Sequence, residues 1–152
     1  MRQVIALLVL CGAVGLVAAG CGGSSAKPLS KAAYVKQMAT IGKNLSASLG
    51  TLSTAKNAKQ GATALAKVQT TMQDAVKKID AITPPKDVKD QHKQLSSAVG
   101  EFADELSPVI AKLKAGKETL TAGFTSVEAL KGIKDIQSAA AAITKAGYKI
   151  GG

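Results

Sequence analysis

The segment AKQGATALAKVQTTMQDAVKKIDAI, residues 58–82, decides the fold class of this 152-residue chain. Its apolar residues recur every three or four positions, so they line one face of an α-helix. The segment ends at Thr83-Pro84-Pro85, because proline lacks a backbone donor and restricts the residue before it. The predicted inward stripe of this helix consists of Ala62, Leu65, Val68, Met72, Val76, Ile79 and Ile82.

The same periodicity predicts two further long helices, one on each side of this segment. The first runs from about Lys31 to Leu52 after a Ser30 N-cap. The other runs from near Pro85 to Ala115, continues with a kink through Pro108 and ends at a Gly116 C-cap. Their stripes are Tyr34, Met38, Ile41, Leu45, Leu49 and Leu52, and then Val88, Leu95, Val99, Phe102, Leu106, Val109 and Leu113.

A fourth helix is predicted from Thr125 to Gly147. The spacing of Thr125 and Glu128 is that of a capping box, and Gly147 is a suitable terminator that leaves Tyr148 and Ile150 to fold back. Lys117 to Phe124 is expected to be a loop or a short helical turn. Four amphipathic helices with short connections predict an all-α domain, an antiparallel four-helix bundle over residues 31–150.

The N-terminus has the pattern of a bacterial lipoprotein export signal. Arg2 supplies a positive charge, Val4 to Val17 is apolar, and Ala18-Ala19-Gly20 provides the small residues that a signal peptidase needs. Cys21 follows directly and is the predicted lipid acceptor, because two acyl chains on its sulfur would give stable anchoring. We therefore predict a signal peptide at residues 1–20 and a lipidated, flexible tether at residues 21–30.

Other interpretations of this leader are an uncleaved membrane anchor or ordinary secretory cleavage without lipid. Cys11 is an unsuitable acceptor because the bulky Leu10 precedes it. If Cys21 is modified, the mature chain has no free thiol, which excludes disulfides and cysteine-based metal or catalytic sites. The Gly/Ser-rich tether spans on the order of 15 Å, so the domain should sit close to the membrane.

The charge of the chain is basic and comes from lysine. Lysine and arginine together number 20 against 10 acidic residues, and Arg2 is the only arginine. Lysine lacks the planar fork that reads bases and phosphates bidentately, and the mature chain has few aromatic residues for stacking. We expect no nucleic-acid partner. Anionic lipid or a wall polymer, or an envelope protein, suits such a surface better, although a merely solubilising lysine face is the simpler interpretation.

Few residues suggest chemistry. His92 is the sole histidine and is expected at the flank of the buried stripe, where a local hydrogen bond is more typical than metal or haem ligation. Glu101, Asp104 and Glu105 are expected on an exposed face, without the cleft that acid–base catalysis requires. We predict no enzyme activity, no catalytic residue, no metal site and no cofactor.

The chain resembles a set of short actinobacterial-type cell-envelope lipoproteins of unknown function. The resemblance rests on Cys21-Gly22-Gly23-Ser24-Ser25, on residues 29–37 (LSKAAYVKQ) and on Ile82-Thr83-Pro84-Pro85 before a helix that contains His92. It implies a cell-envelope location and supplies no activity. Many such relatives carry a cysteine near the position of Gly42, and its absence here removes the redox role that this cysteine would imply.

These observations lead to one principal functional hypothesis. We expect a non-enzymatic lipoprotein, held on the extracytoplasmic face of the cell membrane through lipid on Cys21, whose helical domain is a binding module with a lysine-rich surface. The alternative is a carrier or sensor of a small apolar ligand held between the helices, for which a gap at the Pro108 kink is the best location.

Overall fold

The computed structural model describes residues 27–150. This part of the chain is all-α, as predicted, and contains no strand. Short 3₁₀ turns at Thr51–Thr54 and Lys86–Val88 join some of the helices. The five α-helices are α1 (Lys31–Gly50), α2 (Ala58–Asp80), α3 (Lys89–Lys114), α4 (Leu120–Glu128) and α5 (Lys131–Lys145).

The long helices pack as antiparallel neighbours. The Gln69 side-chain amide of α2 donates to the Ala103 carbonyl of α3 at 2.7 Å. Near the other end of the same pair, the Ser96 hydroxyl donates to the Asp80 carboxylate. The α1 helix runs antiparallel to α2, since Leu29 bonds the Thr83 carbonyl and Ser48 bonds Thr71. The α5 helix packs along the other side of α3.

The predicted stripes of α2 and α3 form the core. Every stripe residue of α3 is buried, and so are those of α2 apart from the half-buried Val76. The α3 helix also buries Ala98, Ala103 and Ile110, because α2 and α5 cover two of its sides. The helix continues through Pro108, as predicted, and the flanking core residues Leu106, Val109 and Ile110 are each at most 5% exposed.

The stripe of α1 differs from the prediction at its end. Tyr34, Met38 and Ile41 are buried as expected, but Leu49 is 41% exposed. Ser48 is buried in its place and donates to the Thr71 hydroxyl at 3.1 Å. The predicted stripe places Leu49 after Leu45, whereas the face of α1 that contacts α2 continues from Leu45 to Ser48.

The predicted fourth helix is two helices, which makes five in the described residues. Thr119, not Thr125, is the N-cap of α4, and its hydroxyl accepts from Ala122 N–H at 3.2 Å. The expected capping box at Thr125–Glu128 is therefore wrong, because these residues form the end of α4. Leu130 is extended and separates α4 from α5.

The two glycines that follow the ends of α3 and α5 were predicted correctly. Gly116 has φ +66° after α3, and Gly147 has φ +90° after α5. These left-handed conformations suit glycine, which has no Cβ to clash. Beyond Gly147 the chain folds back, so that Tyr148 is buried and Ile150 packs against the core.

Candidate functional site

The described chain enters the fold at one end of the helices, which we call the tether end. Leu29 N–H donates to the Thr83 carbonyl at 2.9 Å, fixing the incoming segment beside the connection between α2 and α3. Ser30 then caps α1, as predicted, by accepting from Ala33 N–H at 3.3 Å. The start of α1, the end of α2 and the start of α3 therefore meet where the predicted tether arrives.

His92 lies at the tether end and is 6% exposed. Its Nε2 lies 3.0 Å from the Ile79 carbonyl, which can only accept, so this nitrogen carries the proton. Its Nδ1 lies 3.2 Å from the Tyr34 hydroxyl, which donates to it. Burial lowers the pKa of His92, opposed by the bond to Ile79 and by the charge of Asp80. The imidazole is thus held neutral, with both nitrogens bonded.

Tyr148 joins the same cluster from the far end of the chain. Its hydroxyl donates to the two carboxylate oxygens of Asp87 at 2.7 and 2.9 Å. Its ring meets the edge of the Tyr34 ring with centroids 5.5 Å apart, and the Lys31 ammonium lies 5.0 Å from its ring centroid. We call Tyr34, Asp87, His92 and Tyr148 the tether-end cluster.

The tyrosine hydroxyls of this cluster are held protonated. Burial, and to a lesser degree the neighbouring Tyr148, raise the pKa of Tyr34 to about 12. The hydrogen bond to Asp87 is the main reason that the pKa of Tyr148 is raised. His92 was expected at the flank of the buried stripe with a local hydrogen bond, but it is buried and its partners are 13 and 58 residues away.

The arrangement is suited to holding chain segments together. His92 would have to give up a hydrogen bond before it could ligate a metal or accept a substrate proton. Within residues 27–150, His, Cys, Asp and Glu form no group of three or more that could hold a metal ion. The cluster instead joins the start of α1, the start of α3 and the segment after α5.

One of the three carboxylates of α3 singled out in the sequence has a structural role. Glu101 and Asp104 are exposed, as predicted. Glu105 is half-buried, and its Oε2 accepts the Gly132 N–H at 2.9 Å, so it caps the first turn of α5. The expectation that all three carboxylates face water is therefore wrong for Glu105.

The lysines are all exposed but unevenly distributed along the chain. Residues 27–73, which we call the lysine segment, contain seven lysines and no acidic residue. The remaining described residues hold twelve lysines against ten acids. The uncompensated positive charge therefore belongs to α1 and to most of α2. The seven lysines of this segment are Lys27, Lys31, Lys36, Lys43, Lys56, Lys59 and Lys67.

Two surface grooves accompany these charges. The first, which we call the tether-end groove, lies between the first turns of α1 and the end of α2 and has a volume of about 550 Å³. The second, of about 620 Å³, lies between α3 and α5 and mixes both signs of charge. The tether-end groove is lined by residues that include Ala33, Lys36, Thr40, Ile41, Lys78, Ala81 and Ile82.

The comparison with protein families covers most of the chain. A family model described as a family of unknown function (DUF6376) matches residues 30–145. The chain belongs to this family. The DUF6376 match begins at Ser30, the N-cap of α1, and ends at Lys145, the last residue of α5, so it includes all five helices. No curated protein and no solved structure matches the chain.

Several predicted features lie outside the residues that the structure describes. These are the signal peptide at residues 1–20, the alternative Cys11 and the lipid acceptor Cys21, which stay predictions. Among the described residues of this DUF6376 protein, no helix is long and apolar enough to span a membrane.

Proposed function

We propose that this DUF6376 protein is a non-enzymatic lipoprotein of the cell envelope, held on the extracytoplasmic face of the membrane by lipid on Cys21. In this proposal the helical domain is a binding module, and its lysine segment binds anionic groups of the envelope, either lipid headgroups or a wall polymer. The proposal gives the chain the same location as the actinobacterial-type lipoproteins that it resembles.

The observation that carries the binding role is the separation of charge. A lysine close to an anionic membrane contributes roughly 1 kcal/mol to association, and this contribution falls off within a Debye length of about 8 Å at physiological salt. The lysine segment contains no acidic residue, and none of its lysines forms an ion pair within the described residues. Outside this segment twelve lysines are accompanied by ten acids, and Lys77, Lys112 and Lys131 form ion pairs with them.

The anchoring role is tested by a single substitution at the acceptor sulfur. In cells that export the protein and are fed a labelled fatty acid, Cys21→Ser should not incorporate the label, and its leader should stay uncleaved. Cys11→Ser is the matched control and should change neither property. Fatty-acid labelling of Cys21→Ser at the wild-type level would contradict the lipoprotein assignment.

The binding role is tested with an unlipidated chain that begins at Gly22 and contains every buried core residue. Its cosedimentation with phosphatidylglycerol vesicles should exceed that with phosphatidylcholine vesicles and should decline as salt is added. A variant with Lys36, Lys43, Lys59 and Lys67 changed to Gln should lose most of this association.

The matched control removes the same charge from the other part of the chain. Lys86, Lys93, Lys114 and Lys134 are also exposed, and their change to Gln should weaken cosedimentation much less. Equal losses in the two variants would mean that only net charge matters, and the role assigned to the lysine segment would be withdrawn. Circular dichroism of both variants checks that the helices are retained.

A further inference from the structure

We propose that the tether-end groove binds the headgroup phosphate of an anionic phospholipid in the membrane that holds the anchor. This inference rests on the proposed function and specifies where on the lysine segment the lipid binds. The groove has lysines on its rim and apolar side chains on its floor, and it lies beside the incoming tether.

The rim of the groove matches a phosphate in charge. Lys36 of α1 and Lys78 of α2 both line it, and no carboxylate does. Of the two acids of α2 near Lys78, Asp80 accepts the hydroxyl of Ser96. Asp74, which lines a neighbouring groove together with Lys78, pairs with Lys77 at 3.2 Å. Among the described residues, neither Lys36 nor Lys78 takes part in an ion pair, so both ammonium groups can bind an anion. Lysine binds phosphate as a compact point charge and needs no fixed fork geometry.

The floor of the groove matches the part of a lipid next to its phosphate. Ile41 and Ile82 are each 8% exposed at the bottom, and the small Ala33 and Ala81 leave room above them. A glycerol backbone and the first acyl carbons could contact this apolar surface while the phosphate meets the two lysines. A free inorganic anion would leave the floor uncovered.

The position of the groove brings it to the membrane. Lys27 lies six residues after Cys21, so the described fold begins at most about 22 Å along the chain from the acylated sulfur. The groove is formed by the first three turns of α1 and the last turn of α2. The hydrogen bond from Leu29 to Thr83 holds the tether at this same end.

The charge pattern also favours a lipid over a second copy of the chain. Two copies meeting at this surface would bring Lys36 and Lys78 against their own counterparts, which repel. The groove between α3 and α5 provides a contrast, because Asp90, Glu101 and Asp135 line it together with its lysines. An anionic headgroup is therefore attracted to the tether-end groove and not to the other one.

The experiment uses the fact that the sequence contains no tryptophan. Thr40→Trp places a single fluorophore in the groove of the full, lipid-anchored protein, which is purified from membranes and reconstituted in nanodiscs. We expect its emission to shift to shorter wavelength in discs containing phosphatidylglycerol and not in discs of phosphatidylcholine alone. Thr63→Trp, exposed near the start of α2 at the opposite end, should show no shift.

Two charge variants decide whether the groove lysines are responsible. In the Thr40→Trp protein, Lys36→Gln with Lys78→Gln should abolish the shift, whereas Lys56→Gln with Lys59→Gln should preserve it. Persistence of the shift in the first pair, or an equal shift in phosphatidylcholine, would overturn the inference and leave the broader electrostatic proposal standing. A shift that depends on the number of proteins per disc would indicate self-association and would also overturn it.

Failure of the protein to enter the discs has a different meaning. It would contradict lipidation at Cys21, and both the proposed function and this inference would then fall together. Helical content measured by circular dichroism distinguishes either result from misfolding of a tryptophan variant.

Discussion

Gly132→Ala tests whether α5 approaches α3 as closely as the structure indicates. A Cβ atom at position 132 would lie 2.4 Å from the Phe102 Cβ and 2.7 Å from the Phe102 Cα. These atoms belong to the backbone of α3 or lie next to it, so no change of rotamer can move them away. The added methyl group would push the two helices apart and lengthen the Gly132–Glu105 hydrogen bond.

The magnitude follows from two opposing effects. Overpacking a well-packed contact costs about 1–3 kcal/mol, and an unyielding backbone neighbour favours the upper part of that range. Alanine is preferred over glycine within a helix by about 1 kcal/mol, although less in the first turn, where residue 132 lies. We therefore expect Gly132→Ala to lower the free energy of unfolding by about 1.5–2.5 kcal/mol.

Gly42→Ala is the matched control because it makes the same chemical change in the middle of α1. No atom lies within 4 Å of a Cβ built at that position, so the helix preference for alanine is unopposed. This variant should gain about 0.5–1 kcal/mol. Urea denaturation of the mature chain, followed by circular dichroism, measures both changes. A Gly132→Ala protein as stable as wild type would refute the close packing of α5 on α3.

Three further predictions concern polar groups that are buried or half-buried. Burial lowers the pKa of His92 below its ordinary value of 6.5, so wild type should lose stability relative to His92→Gln as the pH falls from about 7.5 to about 5. If the free energies of unfolding of the two proteins change with pH in the same way, the lowered pKa of His92 is contradicted. Tyr34→Phe removes the donor to His92 and should cost about 1–3 kcal/mol at neutral pH, measured by urea denaturation. That cost should shrink between pH 10 and about 12, because the unfolded wild-type chain ionises Tyr34 there while the folded protein keeps it protonated; a constant difference would contradict the raised pKa. Glu105→Ala removes the cap of α5 and should lower the free energy of unfolding, measured in urea, by about 1 kcal/mol. The exposed control Glu101→Ala should cost less, and equal costs for the two variants would refute the cap.

Local sequence rules predicted much of the helical architecture. The stripes of α2 and α3 were correct because each helix buries a continuous face along its length, which a period of 3.6 residues detects. Ser30, Gly116 and Gly147 were predictable as boundaries, because a cap and a left-handed turn each depend on one residue and its immediate neighbours.

The division between α4 and α5 could not be predicted in this way. Thr125 and Glu128 have the spacing of a capping box, yet Thr119 is the residue that caps α4. The group that supports the start of α5 is Glu105, 27 residues earlier on α3. A local pattern therefore indicated a cap at the wrong place, while the contact that matters depends on the packing of two separate helices.

The contacts of the tether-end cluster could not be predicted for the same reason. Periodicity placed His92 beside the core, but its partner Tyr34 is 58 residues away and Tyr148 bonds Asp87 across 61 residues. A buried polar side chain needs a partner, so a hydrogen bond to His92 could be expected, but not which residue makes it. The lysine segment, by contrast, is a property of the sequence that could have been found by noting the position of Asp74, the first acidic residue.

The bond between Tyr148 and Asp87 has a practical consequence for how the chain could be rearranged. It brings the segment after α5 back to the end where Lys27 enters, so the two ends of the described chain lie on the same side of the fold. A short linker could join them, and new termini could be opened at the exposed Gly116–Lys117 turn, in a circular permutant that keeps every helix intact. Such a protein would present its termini from the opposite side, so an anchor added there would invert the domain on a membrane.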